Sequence, residues 1–191
     1  MNANFLSVHE PGRLEVFVNL LAGKLSGRTY AEYVDRLPLA GNERMLDFGS
    51  GAGTPAVYLA RKLETGGKLT CLDISPTWIE VCRRRLSKHP SVQFLTGDIR
   101  RMNLPAASFD AVFVHFVLHD IPTGQRASTV AALARVLVGG GRLYLREPLR
   151  LISTEEIHEL CSGAGLRRIN AQTTEVPTQG TAFEGVYLCE Q

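Results

Sequence analysis

Three alternate glycines, Gly49, Gly51 and Gly53, follow a short apolar run that carries Asp47. Residues without a side chain let the backbone turn sharply and let a ligand approach the main chain, next to the unpaired N–H groups that open a helix. A dinucleotide-binding fingerprint would place glycine or alanine where this sequence has Thr54, so the spacing differs from that motif. The segment predicts a ligand-binding loop between a strand and a helix.

Two further acidic residues follow later apolar runs. Asp73 ends the second run, 24 positions after Gly49, close to the spacing at which a carboxylate accepts hydrogen bonds from ribose hydroxyls. Asp98 follows the third run. Each acid alone could be a solvated strand-end residue or a helix cap, but their occurrence in order favours a shared ligand.

Residues 46–54, together with Asp73 and Asp98, resemble the binding motifs of class I methyltransferases that use S-adenosyl-L-methionine (SAM). The resemblance implies SAM as cofactor and S-adenosyl-L-homocysteine (SAH) as product. It implies that Asp47 and the glycine loop hold the amino-acid end of the cofactor, Asp73 the ribose and Asp98 the adenine amino group, with an isoleucine against the ring. The cofactor-binding residues predicted are Asp47, Gly49, Ser50, Gly51, Gly53, Asp73, Ile74, Asp98, Ile99 and His115.

The segment 115–122 follows the fourth apolar run and is expected in the crevice beyond the carboxyl ends of the strands, where open α/β sheets bind ligands. It lacks the Asn/Asp-Pro-Pro-aromatic motif of amino-directed nucleic-acid methyltransferases. It is similar to small-molecule methyltransferases, including quinone C-methyltransferases and O-methyltransferases with a histidine–aspartate pair as base. His119 is predicted as the catalytic residue, with a role as a pocket or surface residue as the alternative, and the role of Asp120 stays open.

Other polar and aromatic residues have simpler interpretations. Arg146 and Glu147 could orient a polar or anionic substrate, but a salt bridge between the two is favoured. For Tyr30 and Trp78, core packing is favoured over a ligand contact. The run Arg83–Arg85 is interpreted as the solvated face of a helix rather than a phosphate site.

These residues must be positioned by alternating short strands and helices, which from Met45 onward predict βαβ crossovers and a parallel sheet. Glycines 139–141 are expected to end the helix before the fifth strand. The last two strands are joined by only about ten residues, too few for a helical crossover, which predicts an antiparallel hairpin. The predicted strands are 45–48, 68–72, 92–95, 109–115, 142–146, 166–171 and 183–188.

The predicted fold is α/β and Rossmann-like: a doubly wound, mostly parallel seven-stranded sheet with an antiparallel last strand and an N-terminal helical cap. Two amphipathic helices are expected within residues 1–44. The apolar face of the first consists of Leu14, Phe17, Val18 and Leu21. A single methyltransferase domain, 1–191, is predicted, with a helical lid over 1–41 and a SAM-binding body over 42–191.

Composition and charge limit the classes of function that the chain can have. The 191 residues, of which 45% are hydrophobic and 21% charged, are typical of one folded domain. The net charge is +2 and the basic residues are spread along the chain, so no nucleic-acid partner is expected. The sequence has no long apolar stretch, signal-like start or metal-ligand spacing of its four cysteines, which predicts a cytoplasmic protein without a metal, and with buried cysteines.

The predicted function is SAM-dependent transfer of a methyl group to the oxygen, carbon or nitrogen of a small-molecule acceptor. Two alternatives are a nicotinamide-dependent oxidoreductase and a SAM-binding protein without catalytic activity. The sequence does not indicate which acceptor is used or how many chains associate.

Overall fold

The computed structural model describes residues 10–190 as a seven-stranded sheet with helices on both faces. The helices are α1 (Arg13–Leu25), α2 (Gly27–Arg36), α3 (Thr54–Lys62), α4 (Pro76–Arg85), α5 (Thr123–Val136) and α6 (Thr154–Gly163), with a 3-10 turn at Leu118–Asp120. The strands are β1 (Arg44–Phe48), β2 (Lys68–Asp73), β3 (Val92–Thr96), β4 (Phe109–His115), β5 (Leu137–Pro148), β6 (Leu166–Val176) and β7 (Gly180–Cys189). The predicted fold class is confirmed.

The sheet order is β3-β2-β1-β4-β5-β7-β6, and β7 runs in the direction opposite to the other six strands. The strand order reverses at β1, which pairs with β2 on one side and β4 on the other. Open α/β sheets bind ligands beyond the carboxyl ends of the strands at such a switch point. The carboxyl ends of β1 to β5 therefore form the edge at which a site is expected.

The strands bury different side chains on their two faces, because successive residues alternate. On one face Met45 and Phe113 pack against α2, α3 and α4, and we call this the α2 face. On the other face Leu46 and Val114 pack against α5 and α6, and we call this the α5 face. Each polar residue near the carboxyl edge can be assigned to one of these faces from its position along the strand.

The two N-terminal helices differ in how they attach to the sheet. α2 is part of the core, with Tyr33 and Val34 only 4% and 1% exposed. α1 forms as predicted, but its apolar face is exposed, with Leu14 75% and Phe17 63% accessible. A lid function for this region stays a prediction, and residues 1–9 of the predicted lid lie outside the described residues.

Glycines 139–141 lie within β5, so their predicted role as a helix stop is wrong. α5 ends at Val136 and β5 begins at Leu137. Gly140 has a φ of +80°, and the pairing of β5 with β4 shifts register here. The glycines therefore permit a bulge in the strand, where the unusual backbone conformation excludes most other residues.

One further prediction from composition concerns burial. All four cysteines are buried, as predicted. Across residues 10–190, no helix has both the length and the hydropathy needed to cross a membrane.

Candidate functional site

The glycine loop connects β1 to α3, and all three of its glycines have positive φ, at 72°, 50° and 74°. A Cβ atom at Gly49 would lie 2.4 Å from Cγ2 of Val117, and one at Gly53 would lie 2.6 Å from Sγ of Cys82. A Cβ atom at Gly51 would meet no atom of the described chain within 4 Å. Gly51 therefore faces open space beside the loop, as a contact with a ligand requires.

Asp73 ends β2 and faces the glycine loop. Its Oδ2 accepts a hydrogen bond from the N–H of Gly51 at 2.8 Å, and its Oδ1 accepts one from the N–H of Ser75 at 2.9 Å. Burial raises the pKa of Asp73, while these backbone hydrogen bonds oppose the shift. Each carboxylate oxygen has a second lone pair, so the side chain can still accept from ribose hydroxyls.

The N-terminal segment reaches this edge of the sheet through Ser75. The Ser75 hydroxyl caps α4 by accepting from the N–H of Trp78 at 3.2 Å, and it donates to Oε2 of Glu10 at 2.9 Å. The contact with Glu10 could not be predicted from the sequence, because nothing local connects positions 65 residues apart.

Asp47 lies on the α2 face of β1 and is 1% exposed. Its Oδ2 is buried and has no hydrogen-bond partner among the described residues. Burial raises the pKa of Asp47 to about 7; hydrogen bonding by Ser50 acts against the shift and the charge of Asp73 adds to it. A buried carboxylate without a partner is unfavourable. An ammonium group, such as the one at the amino-acid end of SAM, would compensate it.

The remaining predicted cofactor residues are placed in different ways. Ser50 is 3% exposed and its Oγ donates to a backbone carbonyl of β1 at 2.8 Å, so its side chain stabilises the turn. Ile74 is 45% exposed whereas Ile99 is 1% exposed and lies in the core, so Ile74 offers the apolar surface for a ring. Asp98 is held in an ion pair with Arg100, which an adenine amino group would have to share.

His115 is the last residue of β4 and lies among aromatic rings on the α2 face. Its ring centroid is 4.2 Å from that of Phe116 and 5.0 Å from that of Tyr30. The residue is 8% exposed, and in the described structure neither ring nitrogen has a hydrogen-bond partner. Burial, and then the charge of Arg146, lower the pKa of His115 well below its usual value, so the ring is neutral.

A cavity of about 150 Å³ lies beside His115 at the carboxyl edge of the sheet. Its walls come from α1, α2, the start of α3, the ends of β4 and β5, and the turn between β6 and β7. Phe116 lines the cavity with a φ of +58°, a conformation that bulky residues rarely adopt and that is often found at functional sites. Thr54 belongs both to this cavity and to the helix that follows the glycine loop, so the two sites adjoin.

Arg146 and Glu147 do not bond to each other, so the predicted salt bridge is wrong. Arg146 points to the α2 face and Glu147 to the α5 face, because neighbouring strand residues alternate. Nε of Arg146 lies 3.0 Å from Oε1 of Glu184 on β7, and Nη2 donates to Thr174 at 3.1 Å. Nε and Nη1 are both buried and make no hydrogen bond within residues 10–190. Glu184 also accepts from Arg36, at 2.9 and 3.0 Å to its two oxygens.

His119 lies in the 3-10 turn after β4, where it meets Glu147 on the α5 face. Its Nδ1 is 2.7 Å from Oε2 of Glu147, and its Nε2 is 3.4 Å from Oδ1 of Asp120. Burial lowers the pKa of His119, but the hydrogen bond to Glu147 and the charges of Glu147 and Asp120 outweigh this and raise it overall. His119 does not line the 150 Å³ cavity. Its catalytic role stays a prediction.

Glu147 and Arg85 support the site in ways that the sequence did not reveal. Oε1 of the fully buried Glu147 accepts from the N–H groups of Val117 and Leu118 at 2.8 and 2.7 Å, which fixes the turn after β4. Nη1 of Arg85 donates to the carbonyl of Ala52 in the glycine loop at 2.6 Å, so a solvated position is wrong for this arginine. Its place one turn after Cys82, on the buried side of α4, was the available signal.

Comparison with known proteins agrees with this geometry. Residues 46–145, just over half of the chain, match the methyltransferase domain family. A demethylmenaquinone methyltransferase of Clavibacter sepedonicus is 36% identical over 110 residues, covering 58% of this chain and 42% of the relative. The 27-O-demethylrifamycin SV methyltransferase of Amycolatopsis mediterranei is 33% identical over 139 residues, covering 71% and 47%. The chain spans less than half the length of these relatives.

The crystal structure of a SAM-dependent methyltransferase from Aquifex aeolicus shares the fold, with a TM-score of 0.73 at 20% identity over 87% of this chain and 95% of the other. This chain belongs to the methyltransferase domain family, in the class I SAM-dependent methyltransferases, and its cofactor is SAM. The residues present fit that cofactor, because Gly51 borders open space and the unpaired Oδ2 of Asp47 suits an ammonium group.

Proposed function

We propose that this chain transfers a methyl group from SAM to an oxygen, carbon or nitrogen atom of a small organic acceptor held over the ends of β4 and β5. The observation that carries the proposal is a row of buried polar groups with unpaired atoms on the α2 face, formed by Asp47, His115 and Arg146. They lie near the ends of the adjacent strands β1, β4 and β5. Buried polar atoms usually have partners, so an unpaired row suggests bound ligands.

Each part of the cofactor has a matching group along β1 to β3. When bound, SAM supplies a methyl group on a positively charged sulfur, which keeps the electron pair of the broken C–S bond. In this proposal Asp47 pairs with the ammonium group, Asp73 accepts from the ribose hydroxyls, and Ile74 supports the adenine ring. Asp98 accepts from the adenine amino group while it keeps its contact with Arg100.

The chain contributes mainly by positioning and enclosing the acceptor. The 150 Å³ cavity adjoins the glycine loop through Thr54, so an acceptor there would lie close to the methyl group. Alignment of two reactants can lower a barrier by several kcal/mol. His119 lies outside this cavity, so we propose it as the base for an acceptor that loses a proton and extends from the cavity to the turn after β4. Glu147 can hold Nδ1 as a donor and leave Nε2 to accept.

A small-molecule acceptor is supported by the size of the cavity and by the names of the two relatives, whose substrates are a demethylmenaquinone and a demethylrifamycin. A SAM-binding protein without methyl transfer is the remaining alternative, since a fold alone does not fix an activity. Release of SAH in the presence of an acceptor would distinguish a methyltransferase from such a binding protein.

The test is calorimetry with SAM and SAH, followed by an acceptor screen that measures SAH release. We expect micromolar binding of both ligands and no binding of NADH. No heat and no thermal shift at about 1 mM of either ligand would contradict the cofactor site, as such ligands normally bind far more tightly. Binding without SAH release across a broad panel would support the non-catalytic alternative.

A glycine pair provides the matched control for this test. Gly51→Ala should abolish or strongly weaken binding, because its methyl group would project into the space proposed for the cofactor. Gly66 has the same left-handed type of backbone, with φ +92°, and the same open space around a Cβ, but it lies before β2, at the opposite edge of the sheet. Gly66→Ala should also place an alanine at positive φ but leave SAH affinity unchanged.

A further inference from the structure

We infer that the acceptor carries an anionic oxygen group, such as a carboxylate, and that Arg146 binds this group in the 150 Å³ cavity. The inference rests on the proposed function and specifies the class of its acceptor. It assigns the substrate-anchoring role to a residue on β5, two strands away from the glycine loop.

The guanidinium of Arg146 is buried, and two of its three nitrogens make no hydrogen bond within the described residues. The residue is 2% exposed, and its Cζ lies 4.6 Å from the ring centroid of Tyr33 and 6.0 Å from that of Phe116. Nη2 donates to Thr174 and Nε lies 3.0 Å from Glu184, but neither Nε nor Nη1 makes a hydrogen bond within the described structure. Arg146 lines the cavity, so an anion bound there would lie beside this guanidinium.

The charges around Arg146 do not balance. Two arginines, Arg36 and Arg146, share the single carboxylate of Glu184, and Arg36 engages both of its oxygens. Burial lowers the pKa of Arg146, and the negative charge of Glu184 acts against that shift. Since an arginine does not lose its proton at neutral pH, the excess positive charge stays in the site and an anion would compensate it.

The rest of the cavity favours an anion as well. Among the described residues that line it, none is acidic, and Arg146 is the charged one. His115 is neutral and has two ring nitrogens without partners, so its N–H can donate to the same anion. A planar guanidinium with a neighbouring N–H donor is an arrangement that suits a carboxylate.

The carboxylate of the cofactor itself is a second source of the same chemistry. Asp47 and the glycine loop, which are proposed to hold the amino-acid end, lie on β1 and directly after it, and β4 separates β1 from β5. This separation favours the acceptor as the owner of the anion. The experiment must nevertheless measure cofactor and acceptor affinity separately.

The test compares benzoate with benzamide, which have nearly the same shape and differ in charge. Both are titrated into SAH-saturated protein by calorimetry or NMR. Benzoate should bind on the order of 10-fold or more tightly, as expected for hydrogen bonds to a charged group. In Arg146→Gln this preference should fall to about twofold or less, with SAH affinity unchanged within about twofold. Arg142→Gln, on the same strand and face but at the opposite end, should keep it.

The outcomes separate this inference from the proposed function. If the wild type does not bind SAH, the proposed function itself fails. If it binds SAH but does not prefer benzoate, or if Arg146→Gln keeps the preference, only the anionic acceptor is refuted. If Arg146→Gln instead weakens SAH binding by about tenfold or more, Arg146 holds the cofactor carboxylate and the inference is wrong.

A second variant covers the case in which Arg146→Gln does not fold, since it removes a buried partner of Glu184. Arg146→Lys keeps the positive charge beside Glu184 but lacks the planar pair of nitrogens. Arg146→Lys should prefer benzoate over benzamide, but by a smaller factor than the wild type. A preference equal to that of the wild type would show that no specific nitrogen of Arg146 binds the anion.

Discussion

The affinity for SAH should rise with pH through the ionisation of Asp47. Burial raises the pKa of Asp47 to about 7, so the carboxyl of the free protein is mostly protonated at about pH 6 and mostly ionised at about pH 8. The ammonium group of the ligand requires the ionised form. The ionised fraction grows from about one tenth to about nine tenths, so Kd should fall about tenfold over this range.

The stability of the ligand-free protein should change in the opposite direction. A carboxyl whose pKa is raised on folding holds its proton more tightly in the folded state, so stability falls as the pH rises. The contribution of Asp47 is complete below its unfolded pKa of 3.8 and is lost as the pH rises through about 7. The difference between these limits amounts to at most about 4 kcal/mol, of which about 1.4 kcal/mol falls between about pH 6 and about pH 8. Saturating SAH should remove most of this dependence.

Calorimetry with SAH and thermal unfolding with and without SAH, at about pH 6 and about pH 8, measure both effects. Asp47→Asn should bind weakly and with no dependence on pH. Asp110 is a suitable control, because its carboxylate pairs with Arg44 at the opposite edge of the sheet, and Asp110→Asn should keep the wild-type profile. The same wild-type Kd at both pH values, or an unchanged profile in Asp47→Asn, would refute the reasoning.

Three further outcomes can be measured. Asp73→Ala should weaken SAH binding by about 1.5–3 kcal/mol and also lower the free energy of unfolding in urea, because two backbone N–H groups lose their acceptor; an unchanged Kd would contradict the ribose contact. Hydrogen exchange should slow in α1 when SAH binds while α2, which is part of the core, changes little; no response in α1 would argue for a rigid cap. His119→Ala should keep the Kd for SAH within about twofold and lower turnover on the order of 10²-fold. The wild-type rate should rise with pH through the pKa of His119, which is above 6.5. Near-full activity of His119→Ala would exclude His119 as the base.

The cofactor half of the site could be predicted because its signals are local. Asp47, Asp73 and Asp98 each follow an apolar run, and parallel strands bring such positions to one edge of the sheet. The positive φ of the loop glycines explains why no other residue stands there. These residues are recognisable without knowing which helix covers which face.

Side-chain direction was the part that local patterns did not determine. Ser50 and Ile99 stand within the predicted motifs, yet both turn inwards, one to a backbone carbonyl and the other into the core. The apolar stripe of α1 was a sound prediction of a helix, but it did not show that this stripe is exposed. Burial depends on what the remainder of the chain places opposite each face, and periodicity alone does not contain that information.

For Arg146, the sequence was enough to predict the face of the sheet but not the partner of the side chain. Alternation along β5 was enough to separate Arg146 from Glu147 and to place Arg146 on the same face as Asp47 and His115. The identity of its partner was not available, because Glu184 comes from β7, inserted antiparallel beside β5. This insertion gives Arg146 one shared carboxylate rather than one of its own, and the excess positive charge faces the cavity. The feature that most constrains the acceptor therefore arises from strand order, which no motif in the sequence encodes.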